Sequence, residues 1–140
     1  MDADLCGVDL DAQIDGKSVE VDGGSYASTK ADQAVFLVVN GGSLTITGAE
    51  ITKSGDASAS SKQNPGDVND DYNFYGLNSA IVVIGETSTA IVNDCTIKAS
   101  SSGSNAIFSS LAAQVTVTGT TITTDANSAR GLHATYGGEI

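Results

Sequence analysis

The chain has 140 residues, with 17 acidic side chains against six basic ones, for a formal charge of −11 at pH 7. That balance excludes the positive footprint required by nucleic acids and anionic membrane surfaces. Hydrophobic residues make up 40% of the chain, enough for a core, but no window approaches the ~18 consecutive apolar residues of a membrane-spanning helix. Serine, threonine and glycine together form a third of it, with one proline and no tryptophan, a profile of short strands and many small turns.

The first residues, Met1-Asp2-Ala3-Asp4, are acidic and lack the basic and apolar regions of a signal peptide. Cys6, Cys95 and the single His133 match no zinc-ligand spacing. The main signal starts at Ser18. The stretch Ser18-Val19-Glu20-Val21-Asp22-Gly23-Gly24-Ser25-Tyr26 returns as Ser43-Leu44-Thr45-Ile46-Thr47-Gly48-Ala49-Glu50-Ile51, then as Ala90 to Ile97, and again as Val115 to Ile122. The anchor positions 19, 44, 90, 115 and 140 are separated by 25, 46, 25 and 25 residues.

Each unit reads as two alternating strands joined at a bend, where Gly or Asp supplies the backbone conformation that β-branched residues resist. A third strand precedes each anchor, over 34–39, 80–84, 106–110 and 131–135. Three strands per period of 25 residues is one coil of a parallel β-helix, so the expected class is an all-β solenoid. Rungs about 4.8 Å apart stack like on like. Val19, Leu44, Ala90 and Val115 form one inward column; Tyr26, Ile51, Ile97 and Ile122 form another. Outward on the first strand stand Glu20, Thr45, Ile91 and Thr116, beside Asp22, Thr47, Asn93 and Thr118. The Thr-x-Thr pairs resemble ice-binding ladders, but the Glu, Asp, Ile and Asn rungs break the array. Gly137-Gly138-Glu139-Ile140 stops where a strand is expected to begin, which suggests a fragment of a longer helix, 1–140, continued by further coils of its parent.

The long step of 46 places its surplus at 55–76, an inserted loop of the sort that leaves one face of a solenoid. Its second half holds Tyr72, Phe74 and Tyr75, three of the seven aromatics. Two uses are open for them: covering Phe36, Val82 and Phe108, assigned to the outward third-strand column that His133 continues, or forming a platform for a ligand such as a sugar. Within the same loop, Asp67, Asn69, Asp71 and Asn73 follow the 1, 3, 5, 7 spacing of a calcium loop. Tyr72 at its sixth position and Asn78 at its twelfth depart from that motif, so a solvated acidic loop competes with a calcium site. No cofactor other than calcium is suggested. Cys95 takes a small inward position, and a bond to Cys6 would cross roughly three rungs, about 14 Å, against a Cα limit of ~7 Å.

Three segments carry a resemblance: the rung Gly41-Gly42-Ser43-Leu44-Thr45-Ile46-Thr47-Gly48-Ala49-Glu50-Ile51-Thr52-Lys53-Ser54-Gly55-Asp56, Asn73-Phe74-Tyr75-Gly76-Leu77-Asn78-Ser79-Ala80, and 127–138. They resemble bacterial secreted or cell-surface repeat proteins, described as adhesin-like, with the pectin-lyase-like right-handed parallel β-helix. That resemblance implies right-handed coils, an extracellular or surface location, and carbohydrate or cell-surface protein partners. The same fold also serves polysaccharide lyases and hydrolases. A lyase requires a basic proton abstractor with acidic calcium ligands, whereas Arg130 is the single arginine here and no carboxylate cluster forms on the outward column. The expectation is a non-enzymatic structural or adhesin-like segment, with a carbohydrate-active enzyme fragment as the alternative.

Overall fold

The computed structural model describes residues 13–58 and 70–140, the side chains of Asp70 and Asp71 excepted. The first circuit comprises β1 (Gln13–Asp15), β2 (Ser18–Asp22) and β3 (Ser25–Ser28). The second has β4 (Phe36–Val39), β5 (Ser43–Thr47) and β6 (Glu50–Lys53). A short helix, α1 (Asp70–Phe74), precedes the third circuit, β7 (Ile81–Ile84), β8 (Thr89–Asn93) and β9 (Thr96–Ala99). The fourth is β10 (Ile107–Ser110), β11 (Gln114–Thr118) and β12 (Thr121–Thr124), after which β13 (Leu132–Thr135) opens another. Equivalent strands pair in parallel into three sheets, β1-β4-β7-β10-β13, β2-β5-β8-β11 and β3-β6-β9-β12. The protein is a parallel β-solenoid of about four turns with three strands per coil.

The register follows the sequence period. Val19 pairs with Leu44, Leu44 with Ala90 across the long step, and Ala90 with Val115. Tyr26, Ile51, Ile97 and Ile122 align likewise. Leu44, Ile46, Ile51, Val92 and Ile97 are fully buried in the central core, each contributing roughly 1.5–3 kcal/mol on leaving water. Between the second and third sheets the chain bends at Gly23, Gly48, Asp94 and Gly119, all in the left-handed region with φ of 70°, 66°, 50° and 60°. The bend continues the ladder, because Gly23, Gly48 and Asp94 donate their N–H groups to Thr47, Asn93 and Thr118 of the next coil at 2.7, 3.0 and 2.8 Å. Aspartate tolerates this backbone better than most residues. Its carboxylate lies where a side chain at Gly119 would project, 2.1 Å from an ideal Cβ there.

The first sheet differs from the other two. Strands β4, β7 and β10 are buried at every position. Phe36, Val38, Ile81, Val83 and Ile107 face the central core, while Leu37, Val39, Val82 and Ile84 form a second apolar cluster with Ala34 and Leu77 on the outer face. This corrects the assignment of Phe36 to the outward column. Phe36 pairs with Ile81, and it is Leu37 that aligns with Val82, Phe108 and His133. Inside the core, the Phe36 ring meets Tyr26 edge-on at 5.2 Å.

Burying a charge in a column should cost far more than adding one outside. Ile97→Asp is expected to destabilise by more than about 4 kcal/mol, whereas Thr118→Asp, on an exposed strand face, should stay within about 0.5 kcal/mol. Urea denaturation of both variants checks this, and similar losses would refute the inward and outward assignment.

Candidate functional site

The outer face of the first sheet is where the chain departs from regular coiling. Other coils join their third and first sheets through 29–35, 100–106 and 125–131, but here the chain runs from 54 to 80 and carries α1. The C-terminal part of this segment lies on the outer apolar cluster. Gly76, at φ 76°, approaches so closely that a Cβ there would stand 2.6 Å from the Phe108 ring. The Phe74 carbonyl accepts hydrogen bonds from Thr135 Oγ1 at 2.6 Å and Ser110 Oγ at 3.4 Å. Segment and sheet therefore share hydrogen bonds as well as apolar contact.

At its other end the segment is tied down by a polar knot. Tyr72, 1% exposed, donates its hydroxyl proton to Asp32 Oδ1 at 2.6 Å, and the same carboxylate accepts from the Ser58 N–H at 3.1 Å and from the Ser58 hydroxyl. Burial pushes the Asp32 carboxyl up, but these hydrogen bonds from Ser58 and Tyr72, helped by Lys53, leave it below the ordinary carboxylate value. Asn78, fully buried, accepts from the Asp32 N–H at 2.8 Å and donates to the carbonyls of Gly55 at 3.0 Å and Ser102 at 3.2 Å.

Beneath the knot lies Lys53, whose side chain points inward at the end of β6 and is fully buried. Its ammonium donates to the carbonyls of Lys30 at 2.9 Å, Gly55 at 3.5 Å and Ser54, joining two successive coil corners. Desolvation lowers its pKa from 10.5 to about 8, against the opposing pull of Asp32 and Asp56.

The three aromatics proposed from sequence therefore separate. Tyr72 is a buried anchor. Phe74, 42% exposed, and half-buried Tyr75 gather instead with Tyr136, which the sequence did not single out. The Tyr75 and Tyr136 rings stack at 5.4 Å and 25°, and Phe74 meets Tyr136 at 6.2 Å and 51°. Tyr136 is 53% exposed and has φ of 48°, at a corner where the other coils place Gly16, Asn40, Gly85 and Leu111, all likewise with positive φ. Beside this cluster Arg130 Nη1 donates to Asn73 Oδ1 at 3.1 Å. His133 packs edge-on against Phe108 at 4.7 Å, its Nδ1 buried without a hydrogen-bond partner among the described residues. Burial first, and then the charge of Arg130, hold the imidazole below its usual pKa.

Of the residues with calcium-loop spacing, Asp67 and Asn69 lie outside the described residues, Asp71 and Asn73 belong to α1, and the Asn73 carboxamide oxygen is engaged by Arg130. No group of three or more His, Cys, Asp or Glu side chains gathers among the described residues. Cys95 is a buried thiol 3.2 Å from the Asn93 carbonyl, and Cys6 lies outside the described residues. A separate cleft of about 560 Å³ borders the edge strand β3, lined in part by Tyr26, Lys30, Gln33, Val35 and Phe36. No protein-family model, curated protein or solved structure matches the chain.

The Lys53 environment sets a pH dependence. Because the folded pKa near 8 lies below the unfolded 10.5, the unfolded chain holds more protons between these values, and stability contributed at this site rises with pH across that window. Thermal melts of the wild type and Lys53→Met from pH 7 to 10.5 should show the wild type gaining relative to the variant. A constant difference would contradict the buried-ammonium assignment.

Proposed function

We propose that the chain is a non-enzymatic, adhesin-like recognition segment of a secreted or cell-surface protein, and that it binds glycans through Phe74, Tyr75 and Tyr136. The observation that carries this reading is the aromatic cluster itself. Three rings are brought together from the last residue of α1, the residue that follows it and the corner after β13, two of the three residues are substantially exposed, and one sits on a left-handed backbone that a tyrosine rarely adopts. Aromatic faces offer apolar area with few torsions to freeze, which suits the C–H faces of sugar rings. The solenoid supplies a rigid base, since β10 and β13 beneath the cluster are paired along their length.

Binding without catalysis is part of the proposal. On the outer face of the second sheet, Glu20 and Asp22 are followed in successive coils by Thr45, Ile91 and Thr116 and by Thr47, Asn93 and Thr118. Among the described residues, no carboxylate of a neighbouring coil faces them there.

A glycan-array screen of the purified chain, followed by titration of the best ligand, tests the reading. Phe74→Ala with Tyr136→Ala should weaken binding about thirtyfold, the loss of roughly 2 kcal/mol expected when central aromatic contacts are removed. The melting temperature should change little, because both side chains are substantially exposed. Unchanged affinity in the double variant would remove the aromatic cluster as the site.

A further inference from the structure

Resting on the reading of the aromatic cluster as a sugar platform, we infer that the bound sugar carries a single anionic substituent, a carboxylate or a sulfate ester, received by Arg130. Arg130 is the only arginine among six basic residues, and its side chain is exposed immediately before β13. Nη1 donates to Asn73 Oδ1 at 3.1 Å and to the Ser128 carbonyl at 3.5 Å, which holds the guanidinium against the end of α1, next in sequence to Phe74.

Both hydrogen bonds use the same nitrogen. The Nε and Nη2 edge, whose parallel N–H groups match the two oxygens of a carboxylate or sulfate, has no hydrogen-bond acceptor among the described residues. No carboxylate lies within ion-pair distance of Arg130 among those residues either, although the chain has 17 acidic residues; the ion pair formed there is Lys98 with Asp125 at 4.0 Å. The neighbouring His133 feels the Arg130 charge, which after burial is the second cause that lowers its pKa. The strand end thus offers one oriented positive group in an otherwise acidic chain.

The same charge balance limits the ligand. A net charge of −11 repels a polyanion over distances of about 10 Å at ordinary ionic strength. One anionic group reaching Arg130 forms a charge-assisted fork with little of that repulsion.

Saturation-transfer NMR titrations of the full chain with methyl glucoside, methyl glucuronide and a glucose sulfate monoester separate the outcomes. The inference requires one of the charged probes to bind tighter than the neutral one by up to about fivefold, the range of an exposed ion pair. Arg130→Gln should erase that preference, Arg130→Lys should restore part of it, and Lys98→Gln should leave it intact. Which charged probe is preferred identifies carboxylate or sulfate. Equal binding of all three, insensitive to Arg130→Gln but lost in Tyr136→Ala, would overturn the anionic inference and leave the aromatic site standing. Absence of transfer from every probe, or transfer that survives Tyr136→Ala, would overturn both.

Discussion

Parallel stacking imposes one demand on every coil: the chain must return to the same lateral position about 4.8 Å further along, with its N–H and C=O groups facing those of the coil before. The bend column at Gly23, Gly48, Asp94 and Gly119 meets this demand with left-handed residues, three of which donate N–H groups onward to the next coil. The corner between the first and second sheets does so with Asn40-Gly41, Leu111-Ala112 and Tyr136-Gly137. Side chains at these bends are secondary to backbone geometry. The inward columns then follow, because equal path lengths bring Leu44 over Val19 and Ile122 over Ile97.

The long segment between β6 and β7 satisfies the same demand in another way. It leaves the regular path, and the ladder closes as though it were absent, with Leu44 opposite Ala90. In exchange the outer face of the first sheet is buried, which gives this solenoid two apolar clusters on opposite faces of one sheet. Tyr72 with Asp32 anchors one side of the segment, and the Phe74 carbonyl with Ser110 and Thr135 anchors the other. Between these anchors, backbone from distant parts of the chain is brought together, and the exposed aromatic cluster arises at that junction.

The columns of the second and third sheets were legible in the sequence because apolar and polar residues alternate there and recur at a fixed interval. The phase of the first sheet was not. Val35-Phe36-Leu37-Val38-Val39 is apolar throughout and buried on both faces, so no alternation distinguishes Phe36 from Leu37; only pairing with β7 does. The surplus at 55–76 announced itself through the step of 46, and two of its aromatics, Phe74 and Tyr75, belong to the cluster. Tyr136 reaches that cluster by stacking on Tyr75, 61 positions away in the chain, and Arg130 by its bond to Asn73, 57 positions away, a proximity that no local pattern encodes. Strand parity alone, two positions from Ile51, places Lys53 inward; its carbonyl acceptors come from coil corners that sequence does not juxtapose.

The repeat interval also constrains how such a molecule changes over generations. Loss or gain of a few residues within a regular coil would shift every later strand by a fraction of a turn and rotate inward side chains into solvent. A change of one whole coil would preserve all neighbouring registers and lengthen or shorten the rod by one strand spacing. The step of 46 shows the other permitted route, in which extra chain leaves at a corner and rejoins in phase. Length and loop content are thus separately adjustable: the rod can act as a ruler in increments of about 4.8 Å, while a single excursion carries the chemistry.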